Sequence, residues 1–234
     1  MEILGIIPAR GGSKGIPQKN IALLNERPLI AYTIEAAHRS KLISRCILSS
    51  DSIEIISICK ELGLEVPFVR PDDLSTDDTP ALPVIQHAVN WLQHHENYVP
   101  DYIVLLQPTS PLRTSDHIDQ ALEKLINSDA DSIVSVVKVP HNFNPYSIMK
   151  CENDHLYHFL EYDENKNMRQ MKPIFYGRNG AAIYAFSLKC LIEKNSIYGD
   201  SILPFEMEKE VSIDIDDQFD LSVCEWMLRN PSSK

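Results

Sequence analysis

The feature that most constrains this chain is a rhythm. Through roughly the first 140 residues, short β-branched runs alternate with stretches of helical periodicity. "EILGIIP", "CILSS", "EVPFV", "YIVLL" and "DSIVSVVKV" have the length and composition of buried strands. Between them, "LIAYTIEAAHRS" places Ile30, Ile34 and Ala37 on one helical face. "SIEIISICKELG" follows Asp51, which stands at capping-box spacing from Glu54, and Gly63 supplies a stop. Further helices are expected over 80–95 and 115–127. Strand–helix alternation calls for right-handed crossovers, so the spacing predicts an α/β fold with a mostly parallel sheet and helices on both faces.

The rhythm breaks over 139–178, where the chain turns polar, aromatic and rich in proline and asparagine. This segment cannot be another βα unit and is expected to be an excursion, a hairpin-bearing arm. The chain returns at "AAIYAF"; a last strand, "VSIDI", then leads to the helix "QFDLSVCEWMLR". The 234 residues suit one domain with an appendage.

The strand exit after Pro8 is unusual. Ala9 to Lys19, "ARGGSKGIPQK", holds three glycines, an arginine and two lysines. In open parallel sheets, ligands bind beyond the carboxyl ends of the strands. Glycine lets backbone N–H groups approach an anion, while Arg10, Lys14 and Lys19 supply charge suited to phosphate. A glycine turn with solvated cations is the plainer alternative. The spacing is neither G-x-x-x-x-G-K-[ST] nor G-x-G-x-x-G. With a formal net charge of −11, the surface as a whole repels nucleic acid and anionic membranes, so an anionic ligand must meet a local cluster of cations. No run of eighteen apolar residues is present, and the apolar start is too short for a signal-peptide core. Five scattered cysteines without a C-x-x-C pair fit reduced thiols, and a cytoplasmic protein is expected.

From Ile7 to Asn20 the stretch resembles the signature of the acylneuraminate cytidylyltransferases, I-P-A-R-G-G-S-K-G-I/L-P-x-K-N. The resemblance continues through "RPDDLSTDDTP", "LLQPTSPLR", Arg169–Gln170, "RNGAAIY" and "SIDIDDQFDL", in that order. A doubled alanine after Gly180 departs from the usual N-G-A-I-Y. The related ketodeoxyoctonate enzymes usually lack the Gly-Gly-Ser-Lys run. The resemblance implies a Rossmann-like nucleotidyltransferase fold and a reaction joining CTP to an acidic nine-carbon sugar, with release of pyrophosphate. It implies nucleotide contacts from Ala9, Arg10, Gly11, Gly12, Ser13, Lys14, Lys19, Asn20 and Arg70, with Arg10 and Lys19 acting on the reacting phosphates. Sugar contacts are implied for Gln107, Arg169 and Asn179. The arm is implied to cross to a second subunit of a homodimer.

Asp214 and Asp216 alternate in the predicted strand "VSIDI", so both carboxylates would point the same way. Paired hard oxygens suit Mg²⁺, and the resemblance assigns these two acids to the metal. Capping of the following helix is the ordinary alternative, and it is the expected role of Asp217 and Asp220. Arg70, Lys138 and Arg169 are each explained as well by a solvated charge on spacing alone. Two other functions use similar parts: a metal-dependent glycosyltransferase with a D-x-D pair, and a non-catalytic nucleotide-sugar binding protein.

Overall fold

The computed structural model describes residues 1–12, 15–161, 168 and 170–230. The strands are β1 (Ile3–Pro8), β2 (Leu23–Leu24), β3 (Arg27–Pro28), β4 (Arg45–Ser49), β5 (Tyr102–Leu105), β6 (Ser132–Lys138), β7 (Met149–Glu152), β8 (His155–His158), β9 (Tyr176–Arg178), β10 (Tyr184–Ser187) and β11 (Ile202–Glu206). The helices are α1 (Leu29–Arg39), α2 (Ile53–Glu61), α3 (Ala81–Glu96), α4 (Ser115–Ile126), α5 (Leu188–Glu193) and α6 (Gln218–Arg229).

The main sheet runs β11-β6-β10-β5-β1-β4, with β9 also paired to β6. β1 lies parallel between β4 and β5, and β6 and β11 run the same way; β10 and β9 run against them. The sheet is therefore mostly parallel, as expected, with one reversed strand wedged into its centre.

Alternation along β1 builds both faces at once. Ile3 and Ile7 pack with Ile30, Ile34 and Ala37 of α1 and with residues of α2 and α4. Leu4 and Ile6 face the other way, onto Ile85, Ala88 and Leu92 of α3. A smaller cluster seats α6 through Leu221 and Cys224 against Leu24, Leu29 and Ile215.

Three local expectations change. "EVPFV" makes only an isolated bridge, Ile47 to Glu65. Pro67 has no N–H to donate, so a ladder cannot continue through it. "VSIDI" is not a strand either; a 3₁₀ turn at Lys209–Val211 precedes an extended segment whose Ile215 N–H donates to the Thr109 carbonyl at 2.8 Å. The edge place beside β6 is taken by β11, whose Pro204 is tolerated there because an edge strand has no partner on one side. Finally, α2 is capped by Ser52, which accepts from the Ile55 N–H, and not by Asp51.

The break over 139–178 contains a hairpin. β7 and β8 pair antiparallel through Asn153 and Asp154, both in the left-handed region, the geometry a two-residue turn requires. Every residue of the two strands is exposed. No helix among the described residues is long and apolar enough to cross a membrane.

Candidate active site

The loops leaving β1 and β5 open onto a cleft of about 390 Å³. Its walls include Arg10, Gly15, Lys19, Asn20, Arg70, Gln107 and Asp216. Residues scattered over more than 200 positions thus meet at the carboxyl ends of two neighbouring strands.

Each cation in this lobe is held by an acid. Arg10 pairs with Asp77. Lys19 Nζ donates to the Ile215 carbonyl at 2.8 Å and to Asp216 Oδ1 at 3.2 Å. Buried Arg70 donates through Nη2 to Asp51 Oδ1 at 3.4 Å and through Nε to Ser75 Oγ at 3.0 Å. Burial lowers the Arg70 pKa, and Asp51 works against that shift. Freed from capping, Asp51 also accepts from the Gly11 N–H at 3.1 Å and ties the basic loop to the arginine.

The loop's remaining residues shape it. Ala9 is buried and its N–H donates to the Ser49 carbonyl at 3.0 Å. Asn20 Nδ2 donates to the Arg10 carbonyl at 3.0 Å. Gly12 has open space around its Cα, while a Cβ on Gly15 would run into the Asp216 carbonyl oxygen. Ser13, Lys14 and Arg169 lie outside the described residues.

Gln107 also lines a second lobe of about 550 Å³, together with Ala81, Leu105, Arg178, Ala181, Tyr184 and Tyr198. Ala81, Leu105 and Gln107 are common to both lobes, so the two adjoin. Asn179 lines neither. It is buried behind the wall, where Nδ2 donates to Ser212 Oγ at 3.0 Å. Lys138 is exposed at the base of the arm, beside His141 and Lys172.

Arg113 was not singled out by its spacing, yet it braces this end of the cleft. It is 3% exposed, and its guanidinium donates to the Gln107 carbonyl at 3.2 Å, the Ala182 carbonyl at 2.7 Å and Thr33 Oγ1 at 2.6 Å. Burial pushes its pKa down to about 9. No carboxylate pairs with it among the described residues.

Asp214 and Asp216 emerge from the extended segment before α6, so the predicted strand geometry does not apply to them. Asp216 lines the first lobe. The half-buried Asp214 carboxylate is raised in pKa by burial, with the charges of Asp216 and Asp220 adding; the Thr109 hydroxyl and Lys19 oppose this. Its Oδ1 is buried without a hydrogen bond of good geometry. Gly180, at φ +68°, packs bare backbone against that carboxylate, and any Cβ there would collide with it. An orphaned carboxylate oxygen beside two further acids fits a hard cation that takes its other ligands from phosphate and water. No cluster of three or more metal-ligating side chains forms among the described residues. Asp217 and Asp220 do cap α6, in a reciprocal capping box.

Residues 4–225 match the protein-family model described as cytidylyltransferase. This chain belongs to that family. The cytidylyltransferase is 35% identical over 236 aligned residues to a CMP-N,N'-diacetyllegionaminic acid synthase of Campylobacter jejuni, covering 100% of this chain and 98% of the relative. It is 33% identical to a pseudaminic acid cytidylyltransferase of the same species, covering 98% and 97%. An N-acylneuraminate cytidylyltransferase of Escherichia coli is 34% identical over 95% of this chain, which spans only 51% of that longer enzyme. Among solved structures, a CMP:2-keto-3-deoxy-manno-octonic acid synthetase complexed with CTP superposes with a TM-score of 0.71 at 15% identity, covering 98% of this chain and 99% of that one. At that identity the likeness shows the fold.

Proposed function

We propose that this cytidylyltransferase joins CTP to a nonulosonic acid, giving the CMP-sugar and pyrophosphate. The observation that carries the reading is the two-lobed cleft: Arg10, Lys19 and Arg70 on one side, a chamber lined by Tyr184, Tyr198 and Arg178 on the other, and Gln107 common to both. A triphosphate in the first lobe would displace the acids that now hold Arg10 and Lys19, and Gly11 and its neighbours would offer further N–H donors. The sugar's anomeric hydroxyl, presented from the second lobe, attacks the α-phosphorus, and pyrophosphate leaves toward the basic loop. Such a displacement depends on alignment and charge stabilisation, and needs no covalent catalyst.

Asp214 and Asp216 are the residues suited to hold Mg²⁺. Bound there, the ion would neutralise phosphate charge and favour the deprotonated hydroxyl. Arg113 keeps Gln107 and the Ala181–Ala182 wall at a constant separation, which sustains the sugar's approach.

We further propose a cytoplasmic homodimer in which the arm covers the partner's cleft, with Arg169 reaching the sugar site. Phe143, Met149, Leu156, Tyr157 and Phe159 are large apolar side chains exposed along this segment, and aromatic and methionine residues are enriched in interfaces. The sugar we favour has the neuraminate configuration, either sialic acid or its diacetylated diamino analogue. The test is pyrophosphate release from CTP with sialic, legionaminic and pseudaminic acids, each with and without Mg²⁺. Release with at least one of them, dependent on Mg²⁺, is expected. Silence with all three would sink the reading, and a pseudaminic preference would overturn the favoured sugar.

A further inference from the structure

Among the described residues, three acids face the cations of the first lobe, and they differ in how freely they can leave. Asp77 on Arg10 and Asp216 on Lys19 have 39% and 79% of their side chains exposed. Asp51 is 23% exposed, and the Arg70 side chain it faces only 4%. An exposed acid can turn into water at little cost when a ligand anion arrives. Asp51 cannot leave Arg70 without stranding a buried positive charge, which costs far more.

Asp51 stands where three segments meet. The backbone just before it joins them: the Ala9 N–H donates to the Ser49 carbonyl at 3.0 Å, and the Arg70 N–H to the Ser50 carbonyl at 2.8 Å. Asp51 Oδ1 then accepts from both sides, from the Gly11 N–H at 3.1 Å and from Arg70 Nη2 at 3.4 Å. Ser75 Oγ takes the neighbouring Arg70 Nε at 3.0 Å and itself donates to the Pro71 carbonyl at 3.0 Å. One edge of the guanidinium is thus held by two acceptors, while Arg70 still lines the first lobe. The contact with the loop is as close: a Cβ on Gly11 would stand 3.1 Å from Ser52 Cβ and 3.6 Å from Asp51 Oδ2.

Gly11 has no side chain by which the loop could be held, so its backbone must serve. Fixing it before the ligand arrives lowers the ordering cost that binding has to meet. We propose that Asp51 is a positioning residue for the nucleotide, holding the basic loop and Arg70 at a fixed span while the cleft is empty. The two then close on one nucleotide without first being ordered. A phosphate oxygen can take over the Gly11 N–H, and Asp51 stays behind as the counter-charge of Arg70. This rests on the cytidylyl-transfer reading for the identity of the nucleotide, although binding of CTP tests it separately from turnover.

The experiment uses the full chain, with calorimetry of CTP in the presence of Mg²⁺ and steady-state turnover. Asp51→Ala removes both contacts, whereas Asp51→Asn keeps an oxygen for Gly11 and removes the charge. Asp51→Ala should weaken CTP binding and raise the KM for CTP roughly tenfold to a hundredfold, the range of a lost charge-assisted bond. The KM for the sugar should not change, and Asp51→Asn should lose less. Either change strands the Arg70 charge, so both are also made together with Arg70→Met, which removes that charge and keeps the fold testable. In that background Asp51→Ala should still bind CTP severalfold more weakly than Asp51→Asn, through the Gly11 contact alone. A merely structural residue would lower thermal stability and the active fraction while the KM for CTP stayed at the wild-type value, and that result overturns the proposal. So does an equal rise in both KM values, or equal CTP affinity in the two Arg70→Met backgrounds. If the wild type binds CTP but releases no pyrophosphate with any nonulosonic acid, the transfer reading fails, and weaker CTP binding in Asp51→Ala still upholds this one. A wild type without affinity for CTP overturns both.

Discussion

The central strands of the sheet and the hairpin of the arm treat their large apolar side chains in opposite ways. Within β1, β5 and β10, Ile3, Leu4, Ile6, Ile103 and Phe186 are fully buried. On the hairpin and the segments flanking it, Leu156 is 64% exposed and Phe159 56%. Helices on both faces cover the central strands, while Phe219 and Trp226 on α6 and Ile53 on α2 stay exposed. A two-stranded ribbon has no second layer, and such ribbons are marginal in water unless something packs on them. The difference is one of cover: the central strands have a layer on each face, and the described hairpin has none.

The comparison can be broken most sharply by truncating one large side chain on each side. Phe186→Ala empties a site between α3 and α5 and should cost about 3–5 kcal/mol of unfolding free energy. Phe159→Ala, measured by the same denaturant titration at low protein concentration, should leave stability nearly unchanged. Equal losses would mean that the arm is folded core.

Activity should divide along the same line. Lys19→Ala and Arg10→Ala, both on the sheet side, should lower kcat/KM by roughly a hundredfold or more, equivalent to about 2–4 kcal/mol of transition-state stabilisation. Folding and association should be unaffected, since the described contacts of each side chain are ion-pair and carbonyl contacts at the rim of the cleft. Near wild-type turnover in both would defeat the placing of the triphosphate in the first lobe.

A smaller effect is expected in association. Leu156→Ser with Phe159→Ser should weaken the dimer at least tenfold, about 1.4 kcal/mol, as followed by light scattering across a dilution series. A wild type that is monomeric at working concentrations would remove the dimer from the proposal.

The smallest expected effect concerns His87, on the sheet side. Its ring stands edge-on to Phe68 at 4.8 Å, and burial lowers its pKa, with the Arg70 charge adding and Asp73 opposing. The folded chain therefore holds that proton less well than the unfolded chain, whose histidine titrates near 6.5. Its contribution is full above that pH and is lost as pH falls through the unfolded value toward the lower folded one. Thermal unfolding of His87→Gln should be less sensitive than the wild type to acidification just below pH 6.5. Parallel pH profiles would show that His87 plays no such part.

What the sequence determined by itself is what short-range physics encodes. The periodicity of α1 and α3, the capping box of Asp217 and Asp220, the strand β1 and the basic loop leaving it are all local patterns, and each appears where the residues place it. The family signature likewise reads along contiguous stretches. Only the tertiary structure decided which strand enters the sheet reversed, and that β11 rather than "VSIDI" takes its edge. It alone decided that Lys19 meets Asp216, 197 positions away, and that Arg113 lies buried among carbonyls. The reason is that a charge in a sequence looks the same whether it is solvated, paired or buried. Its partners are chosen by the topology that carries distant segments to the same end of the sheet.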